Sequence, residues 1–244
     1  MIASQDIKYS IIISYKNREE HLSILLPRLK EIFVNKSYEI IIAEQDNDEK
    51  FQKNSLYNIA AQKATGDIFI FHDVDYYPGD NVSYYTTADI PLYPVRNLVF
   101  LSQEGTQRNF YDIPEGYRNF HQNVGDHSGG VFVLHRELFY KMNGLNPYYK
   151  GWGKEDDDTR DRLRLLGYNW KRNEEGLFYG LYHTDNRPDD NDSDFINNQI
   201  LLSNLRNTLN VGYKNITANI DEYNAGKNIK WLKINNFKYE NRSI

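Results

Sequence analysis

Residues 67–78 read DIFIFHDVDYYP, and this stretch joins an apolar run to two closely spaced acids. The run DIFIF contains Ile and Phe and predicts a buried strand over residues 67–71. Side chains two residues apart in an extended chain point the same way, so Asp73 and Asp75 project together from the end of this strand. The sequence therefore predicts a pair of carboxylates at one edge of a sheet.

The residues before this stretch alternate between strand and helix patterns. Near-continuous apolar strands separated by helices are typical of a parallel sheet covered on both faces, which binds ligands beyond the carboxyl ends of its strands. The fold class is therefore α/β, with a site expected after Ser14, Ala43 and Phe71. The predicted elements are strands at residues 9–14 (YSIIIS) and 38–43 (YEIIIA), a helix at 20–34 interrupted by Pro27, and a helix at 54–65 ending at Gly66.

The first strand is followed by two cations in the sequence YKNREE. Lys16 and Arg18 are either ligands for a negatively charged group or solvated surface charges. Asn17 has capping-box spacing to Glu20, which favours a helix cap.

Asp73 and Asp75 allow two interpretations. Neighbouring carboxylates repel each other unless a cation neutralises them or one keeps its proton. A divalent metal completed by the phosphates of a nucleotide is one solution. An Asp-x-Asp triplet is also a frequent turn signal, and only its position after an apolar strand favours the metal site.

A second acidic stretch, GWGKEDDDTR at residues 151–160, also has two interpretations. Acids in the first turn of a helix suit its dipole, and Asp158 with Arg162 has the spacing of a helical ion pair. A helix start does not explain a tryptophan between two glycines, which fits a mobile loop that closes over a sugar. The sequence leaves a helix start and a catalytic site both open here.

Composition excludes several classes of partner. The 244 residues carry 29 basic and 34 acidic side chains, a net charge of -5, without the basic block that nucleic acid or anionic lipid requires. The absence of cysteine excludes disulfides and thiolate metal sites and is compatible with a reducing compartment. No apolar run reaches the roughly 20 residues of a membrane helix, so we expect a cytoplasmic protein.

Several stretches together resemble the β-1,4-galactosyltransferase family. They are SYKNREEHL, FQKNSLYNIAAQKA, FHDVDYYP, SGGVFVLHRELFYKMNGLNPYYKGWGKEDDDTRDRL and YHTDNRPDDN, in the family's order over about residues 8–215. The resemblance implies a GT-A fold, a Rossmann-like and mostly parallel sheet flanked by helices with a smaller acceptor-side half. We expect a single domain over residues 1–244, with a nucleotide-binding half to about residue 80. The implied activity is inverting, metal-dependent hexosyl transfer from a UDP-sugar to a saccharide acceptor.

The resemblance also assigns residues to roles. Mn²⁺ would be bound by Asp75 and His183, while Gly180 and Leu181 stand where the family has a third ligand, a Met or His. Asp156 would be the catalytic base, and Asp158 remains structural. The donor nucleotide and its sugar would contact Tyr15, Lys16, Arg18, Asn58, Asp73, Gly129 and Gly130; the acceptor and sugars would contact Trp152, Glu155 and Asp157.

Departures from the family leave the donor sugar open. His127 stands where the family has a tyrosine associated with galactose or a smaller residue associated with N-acetylgalactosamine. The sequence therefore allows either of these sugars, and also a capsule-type polymerising transferase that uses UDP-glucuronate or UDP-glucose. A non-catalytic glycan-binding relative is a further alternative, because the third metal ligand is missing. The absence of the cysteines of Golgi members favours a bacterial or viral enzyme of surface glycan synthesis.

Overall fold

The centre of the fold is strand β1 (Lys8–Tyr15), which pairs in parallel with β2 (Ser37–Gln45) on one side and β3 (Ile68–Asp73) on the other. The computed structural model describes residues 7–87, 90–109, 118–121, 129–184, 192–205 and 208–240. The three parallel strands end at the same edge of the sheet, so Tyr15, Gln45 and Asp73 mark the edge where the site is expected.

Among the described residues, nine further strands extend this centre into two sheets. They are β4 (Tyr76–Pro78), β5 (Leu92–Tyr93), β6 (Asn97–Leu101), β7 (Arg118–His121), β8 (Val131–His135), β9 (Lys171–Arg172), β10 (Leu177–Gly180), β11 (Ile216–Gly226) and β12 (Ile229–Tyr239). The larger sheet has the order β11-β12-β2-β1-β3-β8-β5-β9, and the smaller has the order β4-β10-β6-β7. The four strands from β12 to β3 run parallel, while β8 and β11 are antiparallel to their central neighbours.

Helices cover both faces of the larger sheet because its central strands are apolar on both sides. In β1, Ile12 packs in one core cluster with Leu56 and Ala60, whereas Ile11 packs in the opposite cluster with Leu25. The helices are α1 (Glu19–Ile32), α2 (Lys53–Lys63), α3 (Gln103–Thr106), α4 (Arg136–Lys141), α5 (Glu155–Leu165) and α6 (Ser193–Leu205), with a 3-10 turn at Tyr213–Asn215. Within the described residues, none of these helices is long and apolar enough to cross a membrane.

The predicted strands and helices of the first 75 residues are all present, but two local predictions are wrong. Asn17 does not cap α1: it has φ 50°, Arg18 is the N-cap residue, and no side chain caps the helix. Gly66 does not end α2, which stops at Lys63. Gly66 instead lies against β1, where an added Cβ would stand 2.6 Å from the backbone nitrogen of Ser10.

The C-terminal part of the chain forms a hairpin of two long strands. β12 (Ile229–Tyr239) pairs with the antiparallel strand β11 immediately before it. Because β12 also pairs in parallel with β2, the hairpin extends the larger sheet beyond its second strand.

A buried ion pair fixes α5 against the loop that follows α4. Arg162 and Asp158 have side chains that are 1% and 3% exposed, and their Nε and Oδ2 atoms are 2.6 Å apart. Arg162 also donates hydrogen bonds to the carbonyl oxygens of Met142, Gly144 and Val211. The structural interpretation of Asp158 is therefore correct, because this carboxylate is enclosed and fully engaged.

We expect Asp158→Asn to lower the free energy of unfolding by about 3–5 kcal/mol, because it leaves the buried Arg162 guanidinium without its counter-charge. Chemical denaturation at pH 7 measures the change. Glu222→Gln is the control, since Glu222 is 40% exposed and pairs with Lys63 and Lys230, and it should cost about 1 kcal/mol or less. Equal costs for the two variants would contradict this assignment.

Candidate active site

The two acids of the Asp-x-Asp triplet lie at the carboxyl edge of the larger sheet, as their spacing predicts. Asp73 is the last residue of β3, and Asp75 lies in the turn before β4. The Asp73 N–H donates to the Gly130 carbonyl oxygen at 2.8 Å, and its Oδ1 accepts from the Tyr57 hydroxyl at 2.9 Å. Burial, followed by repulsion from Asp75 and Asp156, raises the pKa of Asp73 against the opposing effect of Lys53.

The acidic side chains at the start of α5 point in different directions: one is buried in a structural ion pair, and others face the carboxyl edge of the sheet. Asp158 turns inward to Arg162, whereas Glu155 and Asp156 face the Asp-x-Asp triplet. Asp157 pairs instead with Arg160 and Lys154. The run therefore starts a helix, as one interpretation predicts, and the catalytic interpretation of Asp156 stays a prediction.

Lys53 joins the two acidic stretches into one site. This first residue of α2 has a side chain that is 13% exposed, and its Nζ lies 2.9 Å from Glu155, 3.2 Å from Asp156 and 3.6 Å from Asp73. Burial lowers the pKa of Lys53, but attraction to Asp156, Asp73 and Glu155 outweighs burial and holds it well above its usual value. The group is a fixed ammonium ion.

Sequence reasoning missed Lys53. The stretch after the second strand, EQDNDEKF, is polar and gives no signal alone, and Lys53 follows in FQKNSLYNIAAQKA, from which only Asn58 was taken as a candidate. The position of Lys53 beyond the carboxyl end of β2, where ligands bind in α/β sheets, was the available signal.

Asp75 and His183 form the candidate metal site. The Asp75 Oδ2 and His183 Nε2 atoms are 3.3 Å apart, and this contact with His183 lowers the pKa of Asp75 although burial acts to raise it. Two ligand atoms at right angles, each about 2.1 Å from one ion, lie about 3 Å apart, so the pair fits a small divalent cation. Mixed carboxylate and imidazole ligation suits Mn²⁺.

The protein supplies few further ligands there. No cluster of three His, Asp or Glu side chains suitable for a metal occurs in the described residues. Gly180, at the end of β10, has no side chain, and the buried Leu181 has an aliphatic one, so neither residue offers a side-chain atom that could bind a metal. A cation held by Asp75 and His183 would draw its other ligands from water and from a diphosphate.

A cavity of about 280 Å³ opens beside His183 at the start of α1. Arg18, His21 and Thr184 are among its lining residues, so Arg18 lies on the same cavity as His183 of the candidate metal site.

The other two predicted donor-binding residues at the end of β1 have contacts within the protein. Lys16 donates through Nζ to the Glu49 carbonyl oxygen. Tyr15 is buried at the end of β1, edge-to-face with Trp231 at 5.5 Å, and burial raises its pKa to about 12.

Two predicted donor-side positions have structural partners. The Asn58 side chain is fully buried and exchanges two hydrogen bonds with the backbone of Leu145, at 2.7 and 2.9 Å. This placement replaces its predicted nucleotide-binding role with a structural one. Gly130 has φ 87°, and an added Cβ would stand 2.1 Å from the Tyr76 ring, so this face of the Gly129–Gly130 turn is covered by Tyr76.

The two glycines of the GWG loop lie so close to α6 that a side chain at either position would collide with it. The Trp152 ring stacks on Phe195 with centroids 5.4 Å apart and planes 23° apart. An added Cβ on Gly151 would stand 2.6 Å from Asp194, and one on Gly153 would stand 2.7 Å from Phe195; both glycines have positive φ. The flanking glycines therefore let the loop lie against α6 with its tryptophan stacked on Phe195.

His127, which stands at the position associated with the choice of donor sugar in the family, lies outside the described residues.

The architecture with its carboxylate edge is the GT-A fold. A solved catalytic domain of Drosophila beta1,4galactosyltransferase 7, in complex with xylobiose, superposes with a TM-score of 0.68 at 22% identity and covers 93% of each chain. A variant of that enzyme, in complex with manganese, UDP-Gal and xylobiose, gives the same TM-score at 21% identity.

Comparison of the sequences identifies the family, whereas the structural similarity shows only the fold. The profile described as the N-terminal region of glycosyl transferase group 7 matches residues 3–88, and the one described as the N-terminal domain of galactosyltransferase matches residues 117–184. Beta-1,4-galactosyltransferase 4 of Cricetulus griseus is 34% identical over 72% of this chain and 49% of its own length. Beta-1,4-galactosyltransferase 5 of Sus scrofa is 29% identical over 87% of this chain and 56% of its own length. The chain belongs to the β-1,4-galactosyltransferase family and spans about half the length of these curated relatives.

We expect Lys53→Met to destabilise the metal-free protein by about 3 kcal/mol at pH 8, because three carboxylates lose their common counter-charge. Burial already holds the pKa values of Asp73 and Glu155 above their unfolded values, and loss of the opposing ammonium ion should raise them further, so the variant loses stability as pH increases. The loss should therefore be smaller at pH 5.5.

Urea denaturation at the two pH values tests this prediction. Lys63→Met is the control, since Lys63 and Glu222 form an exposed pair at 3.8 Å and their separation should change stability by about 1 kcal/mol or less. A Lys53→Met cost that does not depend on pH would contradict the assigned role.

Proposed function

We propose that this chain is an inverting glycosyltransferase that transfers galactose from UDP-galactose to a hydroxyl group of a saccharide acceptor, with Mn²⁺ as its cofactor. The observation that carries the proposal is the Lys53 cluster, which places Asp156 beside Asp73 of the triplet. A candidate base and a candidate nucleotide site thus meet at one edge of the sheet. Family membership supports the choice of a UDP-sugar, and the relatives' names support galactose.

Asp156 has the position for general-base catalysis. Its Oδ1 lies 3.2 Å from Lys53 Nζ at the carboxyl edge of the sheet, and a carboxylate there can accept a proton from the acceptor hydroxyl group. The acceptor oxygen then attacks the anomeric carbon from the face opposite UDP, and the bond between that carbon and the diphosphate oxygen breaks. One attack from the opposite face inverts the configuration at the anomeric carbon.

The other residues hold the reactants. Asp75 and His183 would bind the cation, whose charge stabilises the leaving diphosphate. Arg18, on the neighbouring cavity, is placed to contact the same anion. Trp152, Glu155 and Asp157 lie at or next to the start of α5 and would contact the sugars. When Trp152 leaves Phe195, its ring is free to stack on a sugar.

The biological setting is a further part of this proposal. We propose that the product belongs to a surface polysaccharide or glycoconjugate and that transfer takes place in the cytoplasm. The absence of cysteine from all 244 residues is compatible with that compartment.

Release of UDP from a panel of donors tests the activity. UDP-galactose, UDP-N-acetylgalactosamine, UDP-glucose and UDP-glucuronate are each incubated with N-acetylglucosamine, glucose or xylose, with and without Mn²⁺. We expect Mn²⁺-dependent release from UDP-galactose. Preference for UDP-glucuronate or UDP-glucose would favour a polymerising transferase, and binding of UDP without release from any donor would favour a glycan-binding protein.

We expect Asp156→Asn to lower turnover by roughly 100- to 10,000-fold while the affinity for UDP is retained, because the amide cannot accept the acceptor proton. Steady-state kinetics and UDP titration of the same preparation measure both quantities. Asp161→Asn is the control on the same helix and should leave turnover unchanged. Wild-type turnover by Asp156→Asn would exclude Asp156 as the base.

A further inference from the structure

His21 lies beside the candidate metal site but belongs to neither predicted ligand set. It is in the first turn of α1, 4% exposed, on the cavity that also borders His183. The two imidazole rings are edge-to-face with centroids 6.2 Å apart. The motif YKNREEHL contains His21, but sequence reasoning drew only Tyr15, Lys16 and Arg18 from it as candidate ligands.

One nitrogen of His21 has a defined partner. Its Nε2 lies 2.8 Å from the carbonyl oxygen of Tyr182, the residue immediately before His183. Because a carbonyl oxygen can only accept, Nε2 carries the hydrogen and donates it. In the neutral ring, Nδ1 then bears the lone pair.

The other nitrogen has no protein partner in the described part of the chain. Nδ1 of His21 is buried and unpaired there. Leaving a buried polar atom unpaired costs about 1–3 kcal/mol, so Nδ1 requires a partner that the protein does not supply. Metal sites commonly contain histidines with one nitrogen bonded to a backbone carbonyl and the other serving the metal or its bound water.

Three hydrogen bonds fix the backbone of the two residues before His183. The Tyr182 N–H donates to Thr106 Oγ1 at 2.8 Å, and its carbonyl oxygen accepts from His21. One residue earlier, the Leu181 N–H donates to the Asp75 carbonyl oxygen at 2.8 Å. The Leu181 hydrogen bond therefore connects the segment before His183 to Asp75, and the Thr106 and His21 side chains hold the Tyr182 peptide groups between them.

We propose that His21 is a positioning residue of the metal site. Its Nε2–H fixes the Tyr182 peptide and so the place of His183, and its Nδ1 accepts a hydrogen bond from a water molecule bound to the cation. Such a water would take a coordination position that neither Gly180 nor Leu181 can fill. The inference rests on the proposed metal site at Asp75 and His183.

Titration of Mn²⁺ in the presence of UDP, followed by the electron paramagnetic resonance signal of free Mn²⁺, tests the inference. We expect His21→Leu to weaken Mn²⁺ binding by roughly 10- to 100-fold, the usual effect of losing such a partner. His21→Gln should stay close to wild type, because its amide can donate to Tyr182 and its oxygen can accept from water.

His135→Leu is the matched control. The Nδ1 of His135 is also buried without a partner among the described residues, but His135 pairs with Ile68 at the opposite end of β3. It should bind Mn²⁺ as the wild type does. Wild-type affinity in His21→Leu would overturn the inference, whereas absence of Mn²⁺ binding in the wild type would overturn the proposed function itself.

A second measurement on the wild type does not depend on the folding of a variant. In protein labelled with ¹⁵N-histidine, we expect the His21 Nδ1 resonance to move when Mg²⁺ and UDP are added, while the His135 resonances stay in place. A His21 resonance that does not respond to metal and UDP would overturn the proposed contact with bound water.

Discussion

The attraction between the Lys53 ammonium group and three carboxylates is the interaction on which the site depends. Asp73 comes from the end of β3, and Glu155 and Asp156 come from the start of α5, more than 80 residues later. At an effective dielectric constant of about 20, unit charges 4 Å apart interact by roughly 4 kcal/mol. The Lys53 ammonium ion therefore offsets the repulsion among the carboxylates that the two acidic stretches bring together.

The arrangement separates two chemical tasks within one edge of the sheet. On the α5 side, Asp156 contacts Lys53 and is the proposed acceptor of the proton. On the β4 side, Asp75 contacts His183 and is the proposed ligand of the cation. The structural pair Asp158–Arg162 holds the start of α5 in position, so the proposed base depends on a buried interaction that takes no part in chemistry.

The sequence predicts the fold better than the site, for physical reasons. Apolar runs identify β1, β2 and β3 because burial on both faces leaves a continuous pattern, whereas the short strands of the smaller sheet leave none. Spacing alone pairs Asp73 with Asp75, but His183 is found only through the family resemblance. Lys53 and His21 lie in stretches that resemble the family, but nothing in those stretches marks their roles, which arise from contacts with residues far away in the chain. Asn58 was misassigned because a buried amide and a ligand-binding amide look alike in a sequence.

Calorimetric titration of UDP with and without Mn²⁺ tests most directly whether Asp75 and His183 form a metal-dependent nucleotide site. Wild-type protein is compared with Asp75→Ala and with the distant control Asp161→Asn. The structure predicts that Mn²⁺ strengthens UDP binding by the wild type and by the control, and that Asp75→Ala loses this dependence on metal. Equal UDP affinity with and without Mn²⁺ in the wild type would contradict it.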